Sequence, residues 1–281
     1  MATLQLHIPR NSRSLGASET LHGHCVFGSL SVNLDRFLHR GDIATIWHGQ
    51  TGEVLHPREV VVKMFYGEDG KRTMDHEADM YDNHLSTVQG TIVPELYGTF
   101  EAEPTPDKPN FRGCLVMEYC GTSPGQNIQS LPKAAKDELF RLASVLHDME
   151  VHHGNLTGSS VVSRGHAFRI VGFSHASSRH KCPRPRAESP PQGSIEPALS
   201  HFSCAELFHL ATSMNFWCKS FVTIYGKTFP DNALPSTEEM RKLYIECHFD
   251  GDEHEYNEFQ DAQRRVAKLW AQVNMTPKVF L

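Results

Sequence analysis

Lysine, carboxylate, amide, imidazole and thiol are the side chains through which this chain could do chemistry, and their spacing decides which chemistry. The 18 His and 7 Cys first suggest a metal centre. No His-Glu-x-x-His and no Cys-x-x-Cys occurs, however, and no Cys has a partner at zinc-ligand spacing. The imidazoles are therefore read as scattered and the odd set of thiols as reduced, in an intracellular compartment. A second set is better ordered. Lys63 ends the apolar run Val60-Val61-Val62-Lys63, and Glu77 follows 14 residues later. Such a lysine either runs its stem along apolar surface or offers its ammonium to an anion. Further on, His153-Gly154-Asn155-Leu156 follows a long helical segment. The Asn155 amide can accept a hydrogen bond from a hydroxyl but cannot take its proton near neutral pH.

The elements that must position these residues can be read from periodicity. Short runs rich in Val, Ile and aromatic residues, Ala44 to Trp47 and Val60 to Phe65, flank a Gly49-Gln50-Thr51-Gly52 turn and predict antiparallel strands. Met74, Ala78, Tyr81 and Leu85 predict one helix over 71–88, which carries Glu77. Strands are expected at 95–101 and 113–119 around a Pro-rich loop, then a helix from Leu131 to Met149. Two short apolar runs follow, at 160–163 and 168–173, and then a loop over 177–197 with five Pro. Helices are expected at 205–222, from the capping box Ser236-Thr237-Glu238-Glu239 to about Cys247, and over 256–273. Residues 1–30, rich in Ser, His and Gly, read as a flexible arm.

The order of strands with one helix, then a helical segment, resembles the protein kinase fold, from Leu34 to the end. Val60-Val61-Val62-Lys63 is similar to the family's third-strand motif, and Glu77 stands where the family places the carboxylate that pairs with that lysine. The Gly41 to Ile46 stretch is similar to the glycine-rich loop, with Gly41 kept but His39 and Ala44 at two glycine positions. Leu115 to Gly121 resembles the strand and hinge that join the lobes, Met117 guarding the adenine pocket and Glu118 and Cys120 on the hinge. His153-Gly154-Asn155 resembles the catalytic loop, and Val171-Gly172-Phe173-Ser174 the Asp-Phe-Gly motif with its Phe173 retained. Glu206 falls where a carboxylate braces that loop in the family.

The resemblance implies an α+β, two-lobed fold: a β-rich lobe over 31–120 and a mainly helical lobe over 121–281. It implies nucleotide contacts at Gly41, Ala44, Lys63, Glu77, Met117, Glu118, Cys120 and Phe173, with ATP as the ligand. The catalytic base position is Asn155, and the two magnesium-ligand positions are Ser160 and Gly172. Magnesium binds through carboxylate oxygens and phosphates, so this site loses its metal ligands together with its base. The implied protein is a catalytically impaired kinase-like module, a pseudokinase, that binds a protein partner in signalling. The alternative is an active protein kinase of atypical type in which Asp148 or Glu150 supplies the missing acid. A small-molecule phosphotransferase of related fold would lack the same acids. The Lys63 and Glu77 pair serves either as a nucleotide contact or as an ion pair that orients the helix.

The 27 Lys and Arg against 33 Asp and Glu, a net charge of -6, give no general pull toward nucleic acid or anionic membrane. No signal peptide and no apolar run of membrane-spanning length is read, so a cytoplasmic or nuclear location is expected. The basic Pro-rich strip Lys181 to Arg186 reads as a solvated loop or a docking strip for an acidic partner. Asp250-Gly251-Asp252-Glu253 is not a calcium loop, since Glu255 stands where glycine is needed.

Overall fold

The structure, a computed structural model, describes residues 2–8, 18–52, 57–103, 105–106, 108–183, 190, 193–202, 204–218, 221–224, 227–230, 236, 239 and 242. The chain divides into two compact units, Met1–Ala187 and Glu188–Leu281. The first unit mixes a β-barrel with helices. Its strands are β1 (Ala2–His7), β2 (Ser18–Cys25), β3 (Ser29–Arg40), β4 (Ala44–Thr51), β5 (Glu59–Tyr66), β6 (Leu96–Glu101) and β7 (Phe111–Glu118). They close in the order β1-β2-β6-β7-β5-β4-β3, with β3 returning to β1 by a parallel pairing.

The expected flexible arm over 1–30 is corrected here, because two of the seven barrel strands come from it. Leu4, Leu6 and Ile8 alternate with polar residues and are buried, a period of two that places one face on the core. They join Leu30, Val32, Val60, Val62, Met64, Phe100 and Val116 inside the barrel. Gly23 is required for closure: a Cβ there would meet the Thr99 carbonyl oxygen at 2.0 Å. The hairpin of β6 and β7 pairs as expected, Leu96 with Met117 and Phe100 with Cys114.

Helix α1 (Gly67–Asp79) continues through a single π-turn at Met80–His84, closed by the Leu85 N–H donating to the Met80 carbonyl at 2.9 Å. Helix α2 (Lys133–Asp148) buries Leu139, Leu142, Ala143 and Leu146 on one face, the period that predicted it. Two apolar runs form the hairpin β8 (Val161–Arg164) and β9 (Ala167–Ile170), whose end is tied to the loop before β6 by the Ile170 N–H on the Ile92 carbonyl.

The second unit contains β10 (Ser194–Ile195), α3 (Leu199–Phe202), α4 (Ala205–Ser213), β11 (Trp217–Cys218), β12 (Phe221–Ile224) and β13 (Lys227–Pro230). Its main helix is shorter than the expected 205–222. Asn215 adopts φ 55°, and the Phe216 N–H returns to the Ala211 carbonyl, a left-handed cap that ends α4 before the chain turns into β11. The capping box forms: the Ser236 N–H donates to Glu239 Oε2 at 2.7 Å and the Glu239 N–H to Ser236 Oγ at 3.2 Å. The Ser236 backbone N–H, and after it the Ser236 side chain, hold the Glu239 carboxyl below its usual range. Of the expected helix beyond it only Glu239 and Lys242 are among the described residues, and the one over 256–273 lies outside them, as do 184–189 and 191–192 of the Pro-rich loop and the acidic stretch at 250–253. No helix among the described residues is long and apolar enough to cross a membrane.

Candidate functional site

Strand β5 sends Val60, Val62 and Met64 into the barrel, so the alternation points Lys63 to the outer face. Helix α1 lies against β5 and β7 and buries Gly70, Met74, Glu77 and Ala78, one helical stripe. The two patterns converge. Lys63 Nζ donates to Glu77 Oε2 at 2.6 Å, with the lysine side chain 14% exposed and the glutamate 1%. The ammonium also lies 5.2 Å from the centroid of the Phe65 ring. Both partners expected from the sequence are thus brought together. The π-turn then sets Tyr81 below Glu77, fully buried. Burial, followed by the nearby Glu77 and Cys120, pushes the Tyr81 hydroxyl well above its ordinary range.

Tyr81 begins a column of rings. It meets Phe173 edge-on at 5.6 Å between centroids, and Phe173 meets His153 at 4.9 Å. His153 Nε2 lies 3.0 Å from the Val171 carbonyl, and its Nδ1 accepts the Asn155 N–H at 3.3 Å. That pair of partners assigns the neutral tautomer with hydrogen on Nε2. A second tie crosses from α1, where His76 Nε2 sits 2.8 Å from the Ala176 carbonyl. Phe173 is therefore the hub linking α1 to the loop that carries Asn155. The sequence signal for Tyr81 was its helical spacing from Met74 and Ala78, which marks a buried position but not a link to residues far along the chain.

The loop itself is shaped by backbone demands. Gly154 adopts φ 79°, and a Cβ there would lie 2.2 Å from the His175 carbonyl oxygen, so only glycine fits. Asn155 is exposed. Ser160 is buried, and its hydroxyl donates to the Asn155 carbonyl at 2.6 Å while Oγ accepts from the Thr157 N–H at 3.4 Å. It pins the loop from inside. Gly172 takes a left-handed conformation, φ 85° and ψ 57°, ahead of the short turn Phe173–His175, with open space where a Cβ would stand. Asp148 and Glu150 are both exposed at the end of α2.

Along β7, Met117 is buried and pairs with Val61 and Leu96. Glu118 bonds Glu95 twice, its N–H donating to the Glu95 carbonyl at 2.9 Å and its carboxylate accepting the Glu95 N–H at 3.2 Å. The Cys120 thiol donates weakly to the Glu118 carbonyl at 3.8 Å, and burial and then the Glu118 carboxylate push its pKa up to about 12. The Cys120 N–H makes no hydrogen bond among the described residues. Past it, Thr122 and Ser163 exchange backbone bonds, seating the segment on β8. Gly41 and Ala44 flank the tight connection between β3 and β4, where the Gly41 N–H donates to the Ala44 carbonyl at 2.9 Å. Glu206 is buried on α4, in the second unit.

The arrangement offers a fixed ammonium, an amide and a hydroxyl. Positions 155, 160 and 172 supply no anionic oxygen. The Lys63 ammonium is held by Glu77, the exposed Asn155 amide can accept a hydrogen bond, and none of positions 155, 160 and 172 carries a general base or a carboxylate for a hard divalent cation.

No family model matches the chain, and no curated protein matches it. Among solved structures it is similar to one described as the kinase domain of PF14_0431, at 15% identity and a TM-score of 0.43, over 53% of this chain and 52% of that one. The chain thus spans about half the length of that neighbour.

Proposed function

We propose that this chain is a protein kinase-like module that has given up phosphoryl transfer and acts by binding a protein partner, with a nucleotide contact kept at Lys63. The observation that carries the reading is the coexistence of an intact Lys63 and Glu77 pair at 2.6 Å with Asn155, Ser160 and Gly172 at the positions that would supply base and metal ligands. The antiparallel run β3-β4-β5-β7-β6, with α1 against β5, supports the fold assignment. Phosphoryl transfer depends on positioning and on charge neutralisation by magnesium, and the second is what these replacements remove. Ser160 makes the point most sharply, because its hydroxyl is spent on the Asn155 carbonyl. The Cys120 N–H, without a hydrogen bond among the described residues, supports adenine recognition by the hinge backbone, for which side-chain identity is indifferent.

The test is a thermal-shift titration of the purified chain with ATP, with and without Mg²⁺. A ligand that binds only the folded state must stabilise it in step with occupancy. A magnesium-independent shift that disappears in Lys63→Met is expected. No shift with ATP would remove the nucleotide and leave only the partner-binding role.

A further inference from the structure

We infer that His147, His180 and Cys182 form a zinc site that clamps the segment after Phe173 to the end of α2. The chain spacing of these residues gives no hint of it, because the ligands meet only through the fold. Each offers one donor atom, and the three donor atoms lie within 4.8 Å of one another. The edge of a zinc tetrahedron with nitrogen and sulfur ligands is about 3.3–3.8 Å, so side-chain rotations of about 1 Å complete the site.

The backbone already holds these groups in place. His147 is buried in the last turn of α2, and Glu150 leaves the helix at φ 61°. The segment after Phe173 folds back onto that exit. The His152 N–H donates to the Ser177 carbonyl at 2.9 Å, the Ser177 N–H to the His152 carbonyl at 2.8 Å, and the His180 N–H to the Glu150 carbonyl at 2.7 Å. Arg179, at φ 70°, turns the chain between Ser177 and His180. The result sets the His180 ring edge-on to His147 with centroids 4.7 Å apart, and His152 stands 5.2 Å from His180 as a neighbouring imidazole. Two imidazoles and one thiolate are a borderline-soft donor set, suited to Zn²⁺ and poor for magnesium or calcium. Three protein ligands leave one tetrahedral position for water or a further donor. The inference does not depend on the kinase-like reading, since it uses none of the residues of that site.

The test uses the full chain, stripped of metal and titrated with Zn²⁺ against a chromophoric chelator. One equivalent is expected to bind, with affinity weakened about 100-fold or more in both His180→Ala and Cys182→Ser, beyond what loss of an outer partner costs. Cys25→Ser, on the barrel strand β2, should bind as the parent does. Cobalt(II) provides an independent readout: a thiolate-to-metal charge-transfer band that Cys182→Ser abolishes. Far-ultraviolet circular dichroism checks that each variant is folded. Absence of stoichiometric binding by the parent overturns the inference, and so does tight binding that survives either folded variant.

Discussion

The losses from breaking the Lys63 and Glu77 pair on each side should sum to more than the loss from removing it whole. At 2.6 Å and an effective dielectric constant of about 20, the gross attraction is about 6 kcal/mol, most of it offset by desolvation of the two charges. The two sides are unequal. Lys63→Met leaves a carboxylate that is 1% exposed, whereas Glu77→Leu leaves an ammonium that is 14% exposed and can turn toward water. We expect losses of about 3 kcal/mol for Lys63→Met and about 2 for Glu77→Leu. The double variant should lose about 2, because two apolar side chains of similar size fill the space, which gives a coupling of about 3 kcal/mol. The assay is urea unfolding read by Trp47, on β4 of the barrel, in a background with Trp217 and Trp270 changed to Phe. A 3 kcal/mol loss moves the midpoint by about 1 M or more. Single losses that add up to the double within about 0.5 kcal/mol would refute the claim that the two charges compensate each other in a buried setting.

Further expectations concern the surrounding frame. Tyr81→Phe should be neutral or stabilising by about 1 kcal/mol in thermal unfolding, because the buried hydroxyl finds no hydrogen-bond partner among the described residues. Gly154→Ala should cost well over the ~1 kcal/mol expected of Gly165→Ala, since both have positive φ but only Gly154 also faces a carbonyl oxygen, at 2.2 Å. Equal losses would show that the loop yields freely. Ser160→Ala should cost about 1–2 kcal/mol by leaving the Asn155 carbonyl without its 2.6 Å donor. With its pKa raised from 9.0 to about 12, the Cys120 thiol should be alkylated about 1000-fold more slowly at pH 8 than an unperturbed thiol, and faster as pH rises toward 12. The same shift makes the thiol destabilising as pH climbs from about 9 to 12, because only the unfolded chain ionises there.

The pair Lys63 and Glu77 was legible through the resemblance to the kinase third-strand motif, and strand alternation and helical spacing explain why each residue meets the other. The β6 and β7 hairpin was legible from local composition, with a turn composition between two β-rich runs. Residues 2–8 also alternate, but their neighbours are so rich in Ser, His and Gly that composition hid three buried positions, Leu4, Leu6 and Ile8. The short α4 was missed because Asn215 ends the helix by entering the left-handed region, a local choice that an apolar pattern running to Val222 does not reveal. The role of Phe173 between Tyr81 and His153, and the meeting of His147, His180 and Cys182, rest on contacts between distant parts of the chain. No period encodes them.

Phosphoryl transfer is the point on which the account stands. The purified chain, incubated with γ-phosphate-labelled ATP and Mg²⁺ or Mn²⁺, should transfer no label to itself or to a generic protein substrate and release no phosphate above buffer, in parent and Lys63→Met alike. Metal-dependent turnover that vanishes in Lys63→Met would contradict it, and would assign the missing acid to residues other than Asn155, Ser160 and Gly172, with Asp148 and Glu150 the first to be changed.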